Sequence, residues 1–203
     1  MFEIRERDGL ARIGRMETAH GSVSTPVLLP VVNPNRPIIP AKDFADRFRA
    51  EILITNAYIL GKSPDREAVL RDGVHRFLGF PGAVMTDSGA FQSHVYGDVD
   101  VTNAEVIGFQ KEIGADLGTM LDPFSEPFHD HARAAADVEE TIRRAKEADS
   151  IRGEMALVGA VQGGLHPDLR EQCARDVSAL GVSVPPTVRA SSRMSMLWTT
   201  PSG

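Results

Sequence analysis

Short apolar runs alternate with amphipathic helical stretches along most of this 203-residue chain, and this alternation constrains its fold most strongly. The runs are apolar on both faces, which is typical of strands that are covered on both sides. They lie within residues 51–60, 82–86, 115–121 and 154–161. Helical periodicity marks residues 41–48, 64–73, 101–114, 130–149 and 167–180. Repeated β-then-α units predict an α/β fold with a parallel sheet and right-handed crossovers.

The first residues have a different pattern, which predicts a β-hairpin. FEIRE and ARIGRME flank an Asp8-Gly9 pair, the usual sequence for a two-residue hairpin loop. Residues 33–40, NPNRPIIP, contain closely spaced prolines and predict an ordered loop rather than a helix. We therefore expect an N-terminal hairpin, then a loop, then the βα units.

Polar residues follow three of the predicted strands. AVMT runs into DSG at Asp87, LGTML runs into Asp122, and ALVGAV runs into QGG at Gln162. In parallel α/β folds the carboxyl ends of the strands converge on the ligand site. The sequence therefore predicts a pocket with two carboxylates and one amide.

Such a pocket has the chemistry that a planar, guanine-like heterocycle requires. A carboxylate accepts hydrogen bonds from N1–H and the exocyclic amine, Gln162 both donates and accepts, and a second carboxylate remains for chemistry. Phe91 offers a flat apolar face. Gly89, Gly163 and Gly164 are expected to leave room for a ligand to approach the backbone.

Each of these residues also has a structural explanation. An Asp after a strand is commonly the N-cap of the next helix, Ser88 can form a local turn, and Phe91 can belong to the core. Three polar strand ends together favour the pocket. The six histidines are scattered, and His129 and His131 are two residues apart, which does not suit one helical face. No metal site is therefore predicted.

Composition excludes several classes of protein. The formal net charge of −6 argues against binding nucleic acid by bulk charge alone, although a local basic groove remains compatible with it. Cys173 is the only cysteine, so neither an internal disulfide nor a Cys-rich zinc site is expected within these residues. The N-terminus has no apolar signal core, and no window approaches about 18 apolar residues. We expect a soluble, cytoplasmic protein without membrane contacts.

Residues 183–203 differ from the rest of the chain. They contain no Asp or Glu, although the chain is acidic elsewhere, and they show neither helical nor strand periodicity. One interpretation is a disordered tail. The favoured interpretation is a segment foreign to the fold, as a frameshift or premature end would produce.

The strand-end residues belong to motifs that resemble those of the tRNA-guanine transglycosylases. MTDSGAFQ at 85–92 is similar to the family's TDSG-x-FQ motif, and VQGG at 161–164 to its QGG motif. HGSVSTPVLLPV at 20–31 resembles the opening HG-x-x-x-TP segment, and residues 95–122 resemble the archaeal branch, which starts archaeosine synthesis. The resemblance covers about residues 1–182, with the motifs in the family's order.

The resemblance implies a pentosyltransferase with a (β/α)8 TIM-barrel catalytic domain. In the archaeal branch such enzymes exchange a D-loop guanine of tRNA for 7-cyano-7-deazaguanine through a covalent ribosyl-enzyme intermediate. By this resemblance Asp87 is nucleophile or general acid/base. Ser88, Asp122, Gln162 and Gly163 match positions that bind the base, and Asp122 would read the guanine edge. Phe91 matches the aromatic residue that stacks on the base.

The resemblance also implies parts of the family that this sequence does not show. These are a second essential aspartate, a zinc site of three Cys and one His, and C-terminal tRNA-binding domains. The expectation is therefore an incomplete barrel over residues 1–182 with a non-family tail at 183–203, no metal or other cofactor within this chain, and doubtful activity. Because an incomplete barrel leaves an open sheet edge, we expect a homodimer or a partly molten chain.

Three alternatives remain open at this point. One is a queuine-type tRNA-ribosyltransferase, although DSGAF with LDPFSEP favours the archaeal type. Another is a non-catalytic RNA-binding accessory subunit, which would not need both Asp87 and Asp122. The third is an unrelated metal-dependent hydrolase, against which the absence of clustered ligands in the sequence speaks.

Overall fold

The computed structural model describes residues 2–90, 101–123 and 125–180, together with the backbone of residues 184–188. The strands are β1 Phe2–Asp8, β2 Ala11–Thr18, β3 Gly21–Thr25, β4 Ile52–Asn56, β5 Ala83–Asp87, β6 Leu117–Thr119, β7 Ala156–Val161 and β8 Val184–Val188. The helices are α1 Ala41–Asp46, α2 Ala57–Lys62, α3 Arg66–Asp72, α4 Val74–Leu78, α5 Asn103–Glu112, α6 His131–Ile151 and α7 Pro167–Ser178.

The N-terminal strands form an antiparallel sheet in the order β1-β2-β3. The predicted hairpin is confirmed: β1 pairs with β2, and Gly9 takes a positive φ of 56° in the turn between them. The third strand, GSVST, was not predicted. Its residues are small and mostly polar, and Val23 is its one fully buried side chain, so the strand carries little apolar alternation.

The second sheet is parallel, as predicted, in the order β4-β5-β6-β7-β8. Its strands follow one another in chain order and point the same way. The segment at Pro30–Val32 runs beside β4: the Val32 N–H donates to Ile54 O at 2.8 Å, and the Ile54 N–H donates to Pro30 O at 3.0 Å. At the carboxyl end of this sheet, Asn56 of β4 stands opposite Asp87 of β5.

The predicted helices are confirmed, and their ends have the expected caps. Gly73, at a φ of 78°, ends α3, and Thr102 and Glu105 form a capping box at α5. The Asp130 side chain accepts the Arg133 N–H at the start of α6. Helices α2 and α4 were not predicted. Each is short and follows directly on another element, so neither has room for a periodic pattern of its own.

The strand β8 lies beyond residue 182, where the sequence predicts the end of the family region. It pairs in parallel with β7, and the register shifts between Val158 and Ala160. Its sequence is VPPTV. Prolines are tolerated at a sheet edge and at an irregularity in the ladder, so the Pro-Pro pair hid a strand from pattern reading. Residues 189–203 lie outside the described part of the chain.

The antiparallel sheet covers the amino-terminal end of the parallel strands. Met16 and Val23 pack in one apolar cluster with Ile52, Ala83 and Leu117, at the starts of three parallel strands. The polar strand ends therefore lie at the end of the parallel sheet away from this cover. In the described residues, no helix combines the length and apolar character needed to cross a membrane.

Candidate active site

The sheet brings the predicted strand-end residues together at the carboxyl ends of its strands. Asp87 is the last residue of β5, Asp122 follows β6, and Gln162 follows β7. These strands are direct neighbours in the order β5-β6-β7. The expected meeting of two carboxylates and one amide at the carboxyl ends of adjacent strands is therefore what the topology produces.

Gln162 and Asp122 form a buried polar pair. The Gln162 amide nitrogen donates to Asp122 Oδ2 at 2.8 Å and to the Pro123 carbonyl at 3.0 Å. The two residues are 8% and 9% exposed. Because both oxygens accept from the amide nitrogen, the side-chain amide is fixed in one orientation, with its nitrogen towards Asp122.

The loop that carries Asp122 is held from the helical layer. Arg144 of α6 donates to the Leu121 carbonyl at 2.6 Å, and the Leu121 N–H donates to Asn103 of α5 at 3.0 Å. Glu140 in turn accepts from Arg144 and Arg143 at the helix surface. The hydrogen bond from Arg143, which is the largest influence, and that from Arg144 lower the Glu140 pKa to about 2. Burial acts in the opposite direction but is outweighed.

Asp87 is half-buried and contacts a residue that sequence reasoning missed. The Asn56 amide nitrogen donates to Asp87 Oδ2 at 3.2 Å, while Asn56 Oδ1 accepts the Ile59 N–H at 3.0 Å and so caps α2. Asn56 is completely buried. It follows the run ILIT as Asp87 follows AVMT, so the same strand-end pattern would have found it.

A buried glutamine ties the ends of β5 and β6 together. Gln110 of α5 accepts from the Thr86 hydroxyl at 2.7 Å and from the Thr119 N–H at 2.9 Å, and it donates to the Thr119 carbonyl at 2.8 Å. The Ser88 N–H donates to the Thr119 hydroxyl at 2.7 Å. Gln110 was not predicted because it lies on the apolar face of a helix, far in sequence from the strand ends.

Ser88 and the glycines have partners within the chain itself. The Ser88 hydroxyl is buried and accepts the Ala90 N–H at 3.4 Å, as a turn former does. A Cβ on Gly163 would lie 2.7 Å from the Arg170 backbone nitrogen, and one on Gly89 would collide with Tyr58. Packing within the chain therefore gives both positions a reason to be glycine, and the expectation that they also leave room for a ligand stays a prediction. Phe91 lies outside the described residues.

A polar cluster that the sequence did not predict lies at the other end of the strands. Asp116 lies just before β6, and its carboxylate oxygens are 2.8 Å from His75 Nε2 and 3.0 Å from His20 Nδ1. Asp116 also accepts the Val84 N–H at 2.9 Å. Burial raises the Asp116 pKa, but these hydrogen bonds outweigh it and lower the pKa to about 2. The three side chains are far apart in sequence, which is why spacing did not reveal them.

Comparison with known proteins decides which family these features belong to. The family model described as queuine tRNA-ribosyltransferase matches residues 7–188. The chain belongs to this family of tRNA-guanine transglycosylases. The match extends through β8, six residues beyond the end that the motifs alone indicated.

Three similar curated relatives are archaeal and longer than this chain. A tRNA-guanine(15) transglycosylase of Methanothermobacter thermautotrophicus is 49% identical over 92% of this chain and 28% of its own length. That of Haloarcula marismortui is 46% identical over 91% of this chain and 39% of its own length. That of Methanopyrus kandleri is 44% identical over 91% of this chain and 40% of its own length. The chain thus spans well under half of these relatives.

Proposed function

We propose that this chain forms the base-recognition part of an archaeosine-type tRNA-guanine transglycosylase, which exchanges a D-loop guanine of tRNA for 7-cyano-7-deazaguanine. The observation that carries the proposal is the Gln162–Asp122 pair beside Asp87 at the ends of adjacent strands. The names of the relatives that cover nearly the whole chain support it. Cytoplasmic tRNA and a free deazaguanine base are the partners that such a reaction requires.

The buried carboxylate of Asp122 is suited to recognising the base. Guanine and its 7-deaza analogues present N1–H and an exocyclic amine along one edge, and an ionised carboxylate accepts hydrogen bonds from both. Gln162 holds this carboxylate from the side and is itself fixed by Pro123. Because the pair is nearly excluded from water, a hydrogen-bonding mismatch there leaves a buried polar group unsatisfied.

Asp87 is the group we assign to the chemistry, as nucleophile or as general acid/base. In the exchange, the bond between ribose C1′ and guanine N9 breaks while a carboxylate oxygen bonds to C1′, and guanine leaves with a proton. The incoming base then displaces the carboxylate and gives up its own proton. The Asn56 amide donates to Asp87 Oδ2 and so restrains the carboxylate.

The parallel sheet supports a coarser structural proposal. We infer that β4 to β8 belong to a (β/α)8 barrel, because their spatial order follows the chain order, as it does around a barrel. Further strands, which the resemblance implies, would close the edges of this sheet. Without them, the open edge favours a homodimer. A queuine-type enzyme is the second candidate, since the matching family model carries that description.

The test is incorporation of labelled guanine into unmodified tRNA, followed by displacement with 7-cyano-7-deazaguanine or with queuine. Asp87→Asn should abolish exchange but keep binding of the free base, whereas Asp168→Asn, an exposed carboxylate, should change neither. Exchange with queuine alone would favour the second candidate. A folded chain that neither exchanges guanine nor binds 7-cyano-7-deazaguanine would overturn the proposal.

A further inference from the structure

His20, His75 and Asp116 meet at the amino-terminal end of the parallel strands, away from the candidate active site. They come from the turn between β2 and β3, from α4, and from the residue before β6. One ligand atom of each lies within 4.8 Å of the others. We call these residues the His-His-Asp cluster. It joins the antiparallel sheet to the parallel sheet.

The carboxylate of the His-His-Asp cluster is buried and faces both imidazoles. The Asp116 side chain is 1% exposed, and that of His75 is 14% exposed. Asp116 accepts the Val84 N–H at 2.9 Å, and each of its two oxygens faces one imidazole nitrogen. Buried carboxylates in proteins are either paired and hydrogen-bonded or coordinate a metal ion.

The two imidazoles approach Asp116 together. The rings of His20 and His75 are stacked, with centroids 3.4 Å apart and planes at 19°. Three side chains of the kinds that bind metal ions therefore converge at one place.

We propose that the His-His-Asp cluster binds one divalent transition-metal ion of the zinc class. Two imidazoles and one carboxylate are ligands that zinc and its neighbours prefer, whereas magnesium and calcium prefer oxygen ligands throughout. The His20 side chain is 39% exposed, so a water molecule can reach a fourth position. This site differs in residues and in place from the Cys-rich zinc site that the family resemblance implies, and it does not depend on the proposed function.

The distances are close to those that an ion requires. His20 Nδ1 and His75 Nε2 lie 3.0 and 2.8 Å from different Asp116 oxygens. Ligand atoms each about 2.1 Å from a tetrahedral ion are about 3.4 Å apart, so the two distances between imidazole nitrogen and carboxylate oxygen need to lengthen by about 0.5 Å. An ion cannot lie in both ring planes while the rings are stacked, so the His20 ring, on an exposed turn, is the group that must rotate.

Substitutions can separate metal binding from hydrogen bonding at this site. His20→Asn and His75→Gln place an amide nitrogen near the original ring nitrogen, and so keep a donor to Asp116 while removing a good metal ligand. His131→Gln is the matched control, because His131 also contacts a carboxylate through Nε2, that of Asp168 at 2.8 Å, but lies outside the cluster.

The experiment uses the untagged 203-residue chain after chelator treatment, titrated with ZnCl2 against a chromophoric chelator. We expect one zinc ion per chain and a higher Tm with zinc than with EDTA for the unchanged chain and for His131→Gln. His20→Asn and His75→Gln should bind zinc at least about tenfold more weakly, with no rise in Tm. Their Tm in EDTA should stay close to that of the unchanged chain.

A spectroscopic measurement keeps the proposal testable if either variant fails to fold. Co²⁺ added to the unchanged chain should give the visible absorption of a four-coordinate site with nitrogen and oxygen ligands, at one ion per chain. Zinc should then displace the cobalt. Absence of stoichiometric zinc or cobalt binding to the unchanged chain would overturn the proposal, as would full zinc affinity in folded His20→Asn.

Discussion

Gln162 donates a hydrogen bond of 2.8 Å to Asp122 across the carboxyl ends of β7 and β6. The same amide nitrogen donates to the Pro123 carbonyl at 3.0 Å, so Gln162 is a donor on this side. The pair thereby presents a carboxylate whose position is set by the neighbouring strand rather than by its own loop alone. A substitution at Asp122 can therefore test whether this side chain acts as a hydrogen-bond acceptor for the base.

Asp122→Asn is expected to weaken base binding while leaving the fold intact. The asparagine oxygen can still accept the hydrogen bond from Gln162. The asparagine NH2 group then faces the base, where guanine N1–H is also a donor. Two facing donors leave a buried group unsatisfied. Affinity for 7-cyano-7-deazaguanine, measured by calorimetry, should fall at least about tenfold. Asp168→Asn, on the exposed start of α7, should bind as the unchanged chain does.

Asn56 has two separable roles, and two substitutions distinguish them. Asn56→Ala removes both the cap of α2 and the donor to Asp87, and should lower the free energy of unfolding by about 2 kcal/mol. Asn56→Asp keeps an acceptor for the Ile59 N–H but places a second carboxylate beside Asp87. Like charges should raise the pKa of one member of that pair. In urea unfolding, the loss of unfolding free energy caused by Asn56→Asp should be larger at pH 8 than at pH 5. The loss caused by Asn56→Ala should be the same at both pH values.

The sequence was sufficient to predict the parallel sheet, because its strands are continuous apolar runs and its helices are amphipathic. It also placed Asp87, Asp122 and Gln162 at one edge, since the carboxyl ends of parallel strands converge. It did not reveal β8, because the Pro-Pro pair masks a strand that an edge position tolerates.

Long-range contacts between side chains could not be predicted from local patterns. Gln110 reaches Thr86 and Thr119 from a helix face, and the helix period marks that face only as buried. Asp116 meets His75 and His20 across distant segments, so no spacing rule applies to them. The packing of Gly163 against Arg170 could not be predicted either, because it depends on how α7 packs against the residues that follow β7.

Gly163→Ala should destabilise the fold much more than Gly164→Ala. At Gly163 the φ is 123°, and a Cβ would lie 2.7 Å from the Arg170 backbone nitrogen, so strain and collision add. We expect a loss of about 2–4 kcal/mol in the free energy of unfolding. Gly164 has a φ of 54° and a nearest contact of 3.6 Å, so its alanine variant should lose about 1 kcal/mol. Equal losses in chemical denaturation would contradict this packing explanation.

Glu140 should make stability depend on pH in acid. Its pKa is lowered from 4.5 to about 2 in the folded chain, so its contribution is fully present above pH 4.5 and is lost as pH falls through about 2. The side chain is 32% exposed, and solvent screening reduces the contribution to about 1 kcal/mol. Glu140→Gln should therefore be less stable than the unchanged chain at pH 6, and the difference should shrink towards pH 3 in urea unfolding.

Glu139→Gln, on the exposed face of the same helix, is the control and should change stability by only a few tenths of a kcal/mol at either pH. A Glu140→Gln difference that stayed constant with pH would show that packing, rather than the ion pairs with Arg143 and Arg144, accounts for the effect.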